Sequence, residues 1–179
     1  ISLAASTASS FSWTIGTITG GITGASIGSG TTINQTLTNP SNSSAGSVVY
    51  IVTPTSTTGL CAGDAYSITV TVNPKPVVTT SSRASICSGT GPNISLAAST
   101  ASSFSWTIGT ITGGITGASI GSGTTINQTL TNPSNSSAGS VVYIVTPTST
   151  AGSCIGDAYS IAVTVNPKPA VTTSNTASI

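Results

Sequence analysis

Charge is nearly absent from this chain. Lys75, Arg83 and Lys168 stand against Asp64 and Asp157, so 3% of 179 residues are charged, where ordinary domains carry about 25%. There is no His, Glu or Met. Nucleic-acid binding needs many cations to neutralise phosphates, and three cannot form such a stripe. Acid–base catalysis draws on paired titratable groups, and abundant Ser has no His to activate it. No paired acid and base is offered, so enzymatic activity is not expected. Gly28–Thr32 (GSGTT) lacks the Lys of a P-loop. An isopeptide crosslink would need Lys, Asn and a buried acid together, whereas both lysines sit among prolines. The longest apolar run, Val48–Val52, falls far short of the roughly 18 residues of a membrane span. Disorder combines low hydrophobicity with high net charge, and here 37% of residues are hydrophobic at net charge +1.

What the chain does hold is a copy of itself. Residues 1–86 return as residues 94–179, with 79 of 86 positions identical and mismatches only at 58/151, 60/153, 62/155, 69/162, 77/170, 82/175 and 83/176. A period of 93 residues is too long for a solenoid repeat and suits one small domain. Near-perfect copying of a whole unit points to length or valency as the product. The copies divide the chain into a first repeat lacking its opening strand (1–74), a complete repeat (75–167) and an opening strand of a third (168–179). The chain opens inside a repeat, so we expect a fragment of a longer array; natural ends that join subunits by donor-strand addition are the alternative.

Boundaries fall at Asn73-Pro74-Lys75-Pro76 and at its copy Asn166-Pro167-Lys168-Pro169. Two prolines one residue apart end the preceding strand and favour a stiff, extended linker. Within the complete repeat, strand signals recur without helical periodicity. Val77–Thr80 opens it; Ile94, Leu96 and Ala98 alternate with polar or small residues, as do Phe104, Trp106 and Ile108. Gly109–Gly123 reads as an irregular connection with one short edge strand, followed by a strand over Thr125–Thr131. Val141, Tyr143 and Val145 belong to the most hydrophobic strand, and Tyr159, Ile161, Val163 and Val165 to the last. The expected fold is all-β: tandem immunoglobulin-like antiparallel sandwiches of about seven strands each.

Cys61 and Cys154 are equivalent, and Cys87 supplies the early cysteine of the complete repeat. With no CxxC spacing and no His, the expected outcome is a Cys87–Cys154 disulfide in an oxidising compartment, Cys61 having its partner outside the chain. Two free buried thiols are the alternative. Trp13, Trp106, Tyr50 and Tyr143 read as core residues, with a sugar-stacking Trp surface as the competing reading. Asp64 and Asp157, one acid per repeat, fit turn positions better than a calcium site, which gathers several carboxylates. No metal or cofactor is expected. Matches to the glycosylation acceptor pattern at Asn34, Asn42, Asn93, Asn127 and Asn135 arise readily by chance in a chain so rich in Asn, Ser and Thr.

Several segments carry a family resemblance: Ile86–Leu96 (ICSGTGPNISL), the aromatic-Ser-Trp strand, the Gly-Ser-Val-Val-Tyr-Ile-Val-Thr strand, Gly152–Ile161 (GSCIGDAYSI) and the closing Tyr-Ser-Ile-Thr-Val-Thr-Val-Asn-Pro. Together they resemble the PKD-like repeats of giant secreted proteins of Bacteroidota. The resemblance implies long tandem arrays on adhesins and gliding-motility filaments, exported by the type IX pathway. Neighbouring repeats, and other copies within a filament, would then be the main partners. Direct, multivalent contact with polysaccharide or a surface is the competing function.

Overall fold

In a computed structural model, residues 1–173 are described, and they divide into units Ile1–Lys75 and Pro76 onward. The strand expected over 168–179 lies partly outside the described residues; 167–173 form no strand. The N-terminal unit holds β1 (Ser9–Thr19), β2 (Gly28–Ser29), β3 (Gly46–Ser56) and β4 (Tyr66–Val72). The C-terminal unit holds β5 (Arg83–Cys87), β6 (Ile94–Ser95), β7 (Ser102–Thr112), β8 (Gly121–Ser122), β9 (Thr125–Ile126), β10 (Gly139–Ser149) and β11 (Tyr159–Asn166). Both units are all-β.

The C-terminal unit is an immunoglobulin-like sandwich with one regular layer and one fragmentary layer. The regular sheet runs β5-β11-β10-β7-β8. Strict alternation builds it: in β10 every second residue from Gly139 is buried, so Val141, Tyr143 and Val145 point inward while Ser140 and Ile144 point out. The opposing layer consists of the β6–β9 pair and single bridges at Val78–Ala98, Thr90–Leu130 and Thr116–Thr131. Val78, Ile94, Leu96, Ile126 and Leu130 from that layer meet Phe104, Trp106, Tyr143, Ile161 and Val163 in one core.

One departure from the expected antiparallel order is β5, which pairs parallel with β11, Arg83 opposite Ala162 and Cys87 opposite Asn166. Asn166 fixes this edge, its amide nitrogen donating to Ser85 Oγ at 2.9 Å and to the Ile86 carbonyl at 3.1 Å. The long strand expected over Thr125–Thr131 is also shorter, being regular only at Thr125–Ile126.

The fragmentary layer is tied to the sheet by a hydrogen-bonded clasp. Trp106 Nε1 donates to the Ser119 carbonyl at 3.2 Å, and the Gln128 amide nitrogen donates to that same carbonyl at 2.8 Å. Gln128 Oε1 accepts from the Ser119 N–H at 2.8 Å and from the Tyr143 hydroxyl at 3.0 Å. One Gln side chain thereby joins the Gly-rich segment to both large aromatics. The close approach demands Gly121, where a Cβ would sit 2.7 Å from the Trp106 ring. Trp13, Ser26, Gln35 and Tyr50 repeat the arrangement in the N-terminal unit.

The two units share their sequence but not their burial. Ile161, Val163 and Val165 are fully buried, whereas the equivalent Ile68, Val70 and Val72 are half-buried. Residues 76–93 make the difference: Val78, Ala84 and Ile86 pack on the core of the C-terminal unit. The N-terminal unit begins at Ile1, which aligns with Ile94.

Two outcomes test the clasp. Gln128→Leu strands the buried Tyr143 hydroxyl and frees Ser119; it should destabilise the C-terminal unit by about 2–3 kcal/mol in urea unfolding. Adding Tyr143→Phe removes the orphaned donor and should recover about 1 kcal/mol. Burial also holds the Tyr143 and Tyr50 hydroxyls above their ordinary value of 10.0. The folded state then keeps protons that the unfolded chain releases, so stability is full below about pH 10 and falls above it. Urea midpoints measured across this range should show the decline, and Tyr50→Phe with Tyr143→Phe should flatten it.

Candidate functional site

Among the described residues, chemically versatile side chains do not gather. Asp64 and Asp157 are exposed, each in the loop before the last strand of its unit. Among the described residues, no three His, Cys, Asp or Glu side chains converge on a metal-sized site. Trp13 and Trp106 are each 6% exposed, with their indole nitrogens bonded to backbone, so neither offers a stacking face to a sugar. Tyr50 and Tyr143 are buried against Gln35 and Gln128. No helix is present among the described residues, hence none long and apolar enough to cross a membrane.

Two of the concavities in the N-terminal unit are filled at the corresponding places in the C-terminal unit. One, of about 250 Å³, is lined by Leu3, Phe11, Val52, Asp64, Tyr66 and Ile68. At the corresponding place in the C-terminal unit run Pro76–Thr79, with Val78 bridging to Ala98 and Thr79 N–H donating to the Ala97 carbonyl at 2.9 Å. The other, of about 210 Å³, is lined by Ile33, Gln35, Leu37, Tyr50 and Val70. Its counterpart is covered by Ala84, Ile86 and Thr90. In the C-terminal unit the opening segment, from Pro76 to Thr90, occupies both places.

The cysteines require a correction. Cys87 and Cys154 form no disulfide; all three cysteines are free thiols, Cys61 and Cys87 exposed and Cys154 half-buried. Cys87 ends β5 beside Asn166, where β10 begins at Gly139 opposite Val165. Cys154 lies at the other end of β10, its carbonyl accepting from the Ser149 N–H at 2.9 Å. The eleven residues of extended β10 span the two ends, roughly 30 Å. A disulfide needs Cα atoms about 4.4–6.8 Å apart, so the two thiols cannot meet within one unit. Sequence spacing counts the cysteines correctly but says nothing of which end of a sandwich each occupies.

The linker residues sit at those same ends. Pro76 is fully buried, and a side chain at Gly156 would collide with its carbonyl, which places chain entry beside Cys154. Pro74 is buried and Lys75 exposed. Pro167, Lys168 and Pro169 follow β11 at the opposite end; Lys168 Nζ would lie 3.2 Å from a Cβ at Gly89, two residues beyond Cys87. The chain enters the unit at one pole and leaves at the other.

No curated protein matches the sequence. The family model of the PKD-like domain matches twice, over residues 2–76 and 84–169, each match ending in the Pro-Lys-Pro linker. Those matches span most of the chain and fall on both sandwich units, so the chain belongs to the PKD-like domain family.

Proposed function

We propose that these repeats are the structural shaft of a large extracellular surface protein, each repeat adding length to a stalk or filament. The observation that carries this reading is polarity: the C-terminal unit takes in its chain beside Cys154 and releases it beside Cys87. A domain with its termini at opposite poles extends a tandem array with every copy. Near-identity between copies supports the same reading, since a spacer needs repetition and a binding site needs one constellation. Membership of the PKD-like family fits an exported repeat, and the resemblance to Bacteroidota arrays points to an adhesin or motility filament leaving by the type IX route. The chemistry of the surface agrees, with hydroxyls and amides exposed and few charges.

Each repeat should contribute on the order of 40 Å, from an 11-residue strand β10 at about 3.3 Å per residue plus its linker. Electron microscopy and small-angle scattering of chains with increasing repeat number test this. The maximum dimension should grow by about that increment per repeat. A dimension that stays constant as repeats are added overturns the shaft.

A second reading rests on the exposed hydroxyl row Ser103, Ser105 and Thr107 along the outer face of β7. Repeated on every copy, such rows could hold a polysaccharide through many weak contacts. A glycan array probed with this chain should then show binding that strengthens steeply as repeats are added. Uniformly blank arrays at every repeat number remove this reading.

A further inference from the structure

The first and last strands of the C-terminal unit lie side by side and point the same way. β5 pairs parallel with β11 through five register pairs, from Arg83–Ala162 to Cys87–Asn166. Backbone bonds bracket the pair: Ala162 N–H donates to the Ser82 carbonyl at 2.8 Å, and Ser88 N–H donates to the Asn166 carbonyl at 2.9 Å. Asn166 adds its side-chain bonds to Ser85 and Ile86. The chain enters this unit at Pro76, beside Gly156, and leaves after Asn166, at the pole of Cys87. Tension applied through the two linkers therefore draws β5 back toward the entry pole and β11 on toward the exit pole.

We propose that the parallel β5–β11 pair is the clamp that carries tension through the unit, so that its mechanical strength and its thermodynamic stability reside in different places. The proposal rests on the shaft reading above, in which each repeat is pulled by its ends. Parallel strands pulled from opposite ends must slide past each other, and all five register pairs resist together. Strands drawn apart sideways lose their bonds one at a time. Upstream of β5, Val78–Ala98 is a single isolated bridge, so it yields first and passes the load to the five pairs. β10, β7 and β8 follow on the far side of β11. The direct path from one linker to the other runs through β5 and β11 alone.

Stability has another source. The buried core cluster draws a single member, Val78, from the chain before Ile94. The clasp of Trp106, Ser119, Gln128 and Tyr143 touches neither β5 nor β11. The N-terminal unit keeps the same clasp although β4, its equivalent of β11, is a sheet edge. These bonds stay intact while β5 slides, so they lie outside the barrier to rupture.

The test pulls the full chain by its two ends in a single-molecule force experiment, beside urea unfolding of the same proteins. Rupture of the C-terminal unit is recognised by the length of chain it releases. Forced unfolding follows the barrier to unfolding and not the equilibrium. Ladder donors on β5 recur at every second residue back from Ser88, which places one at Ala84. Pro cannot donate to the ladder, so Ala84→Pro should bring the rupture force to about half or less. Asn166→Ala keeps the backbone ladder and should lower the force by a smaller step. Gln128→Leu should lower the urea midpoint and leave the rupture force unchanged. A force that ignores both Ala84→Pro and Asn166→Ala overturns the clamp, as does one that falls in Gln128→Leu as far as in Ala84→Pro. Should Ala84→Pro prevent folding, Asn166→Ala set against Gln128→Leu decides by the same readings. An unaltered force in a chain whose maximum dimension still grows with repeat number sinks the clamp and leaves the shaft intact.

Discussion

The amide of Gln128 is the interaction on which the sandwich depends. A sheet of five strands buries one apolar face, and something must cover it. In the C-terminal unit the covering layer has little regular pairing of its own, only β6–β9 and scattered bridges. Its Gly-rich stretch supplies few large side chains to hold it down. Gln128 compensates by using both ends of its amide, donating to Ser119 and accepting from Ser119 and Tyr143. Trp106 closes on the same carbonyl. Because the chain has almost no charge, such neutral bonds carry the specificity that ion pairs supply elsewhere. The pattern is complete, since no buried side-chain nitrogen or oxygen among the described residues lacks a partner.

Two nearly identical sequences in one chain isolate what the opening segment contributes. Tyr159 is half-buried, while Tyr66 is 70% exposed. Leu130 is fully buried, while Leu37 is not. Local sequence is unchanged at these positions, so propensity and pattern are equal on both sides. What differs is the presence of Pro76–Cys87, whose Val78 and Ile86 close the open flank of the core. Burial is thus a property of the assembled unit and not of the strand, and the opening segment acts as the last stave of the sandwich.

This explains how far the fold was legible. The alternation of Phe104 with Trp106, of Val141 with Tyr143 and Val145, and of Ile161 with Val163 and Val165 specified the regular sheet outright, because each strand is long and half-buried. The short edge strand at Gly121–Ser122 was legible as a break in the Gly-rich run. The parallel pairing of β5 was not, since Arg83–Cys87 alternates equally well in either direction and only the crossover through the unit decides. Gln128 passed unnoticed for a similar reason. A lone polar residue in a strand-like stretch gives no sign that its partners lie nine residues back, at Ser119, and fifteen residues on, at Tyr143. One signal was available: each copy spends its single Gln at this position.

The cysteines show the same limit at a larger scale. Counting pairs within a period assumes that a period is a closed object, which holds for small disulfide-rich domains whose core is too thin to stand alone. This sandwich buries Tyr143, Ile161, Val163 and Leu130 without any crosslink, so an internal bridge would add little that packing does not already supply. In the proposed shaft the chain would carry load from β11 into Pro167, Lys168 and Pro169, a stretch with no strand pairing. Cys87 and Cys154 lie at opposite poles of the unit, beside its outgoing and incoming linkers, and spacing along the sequence does not reveal which pole each occupies.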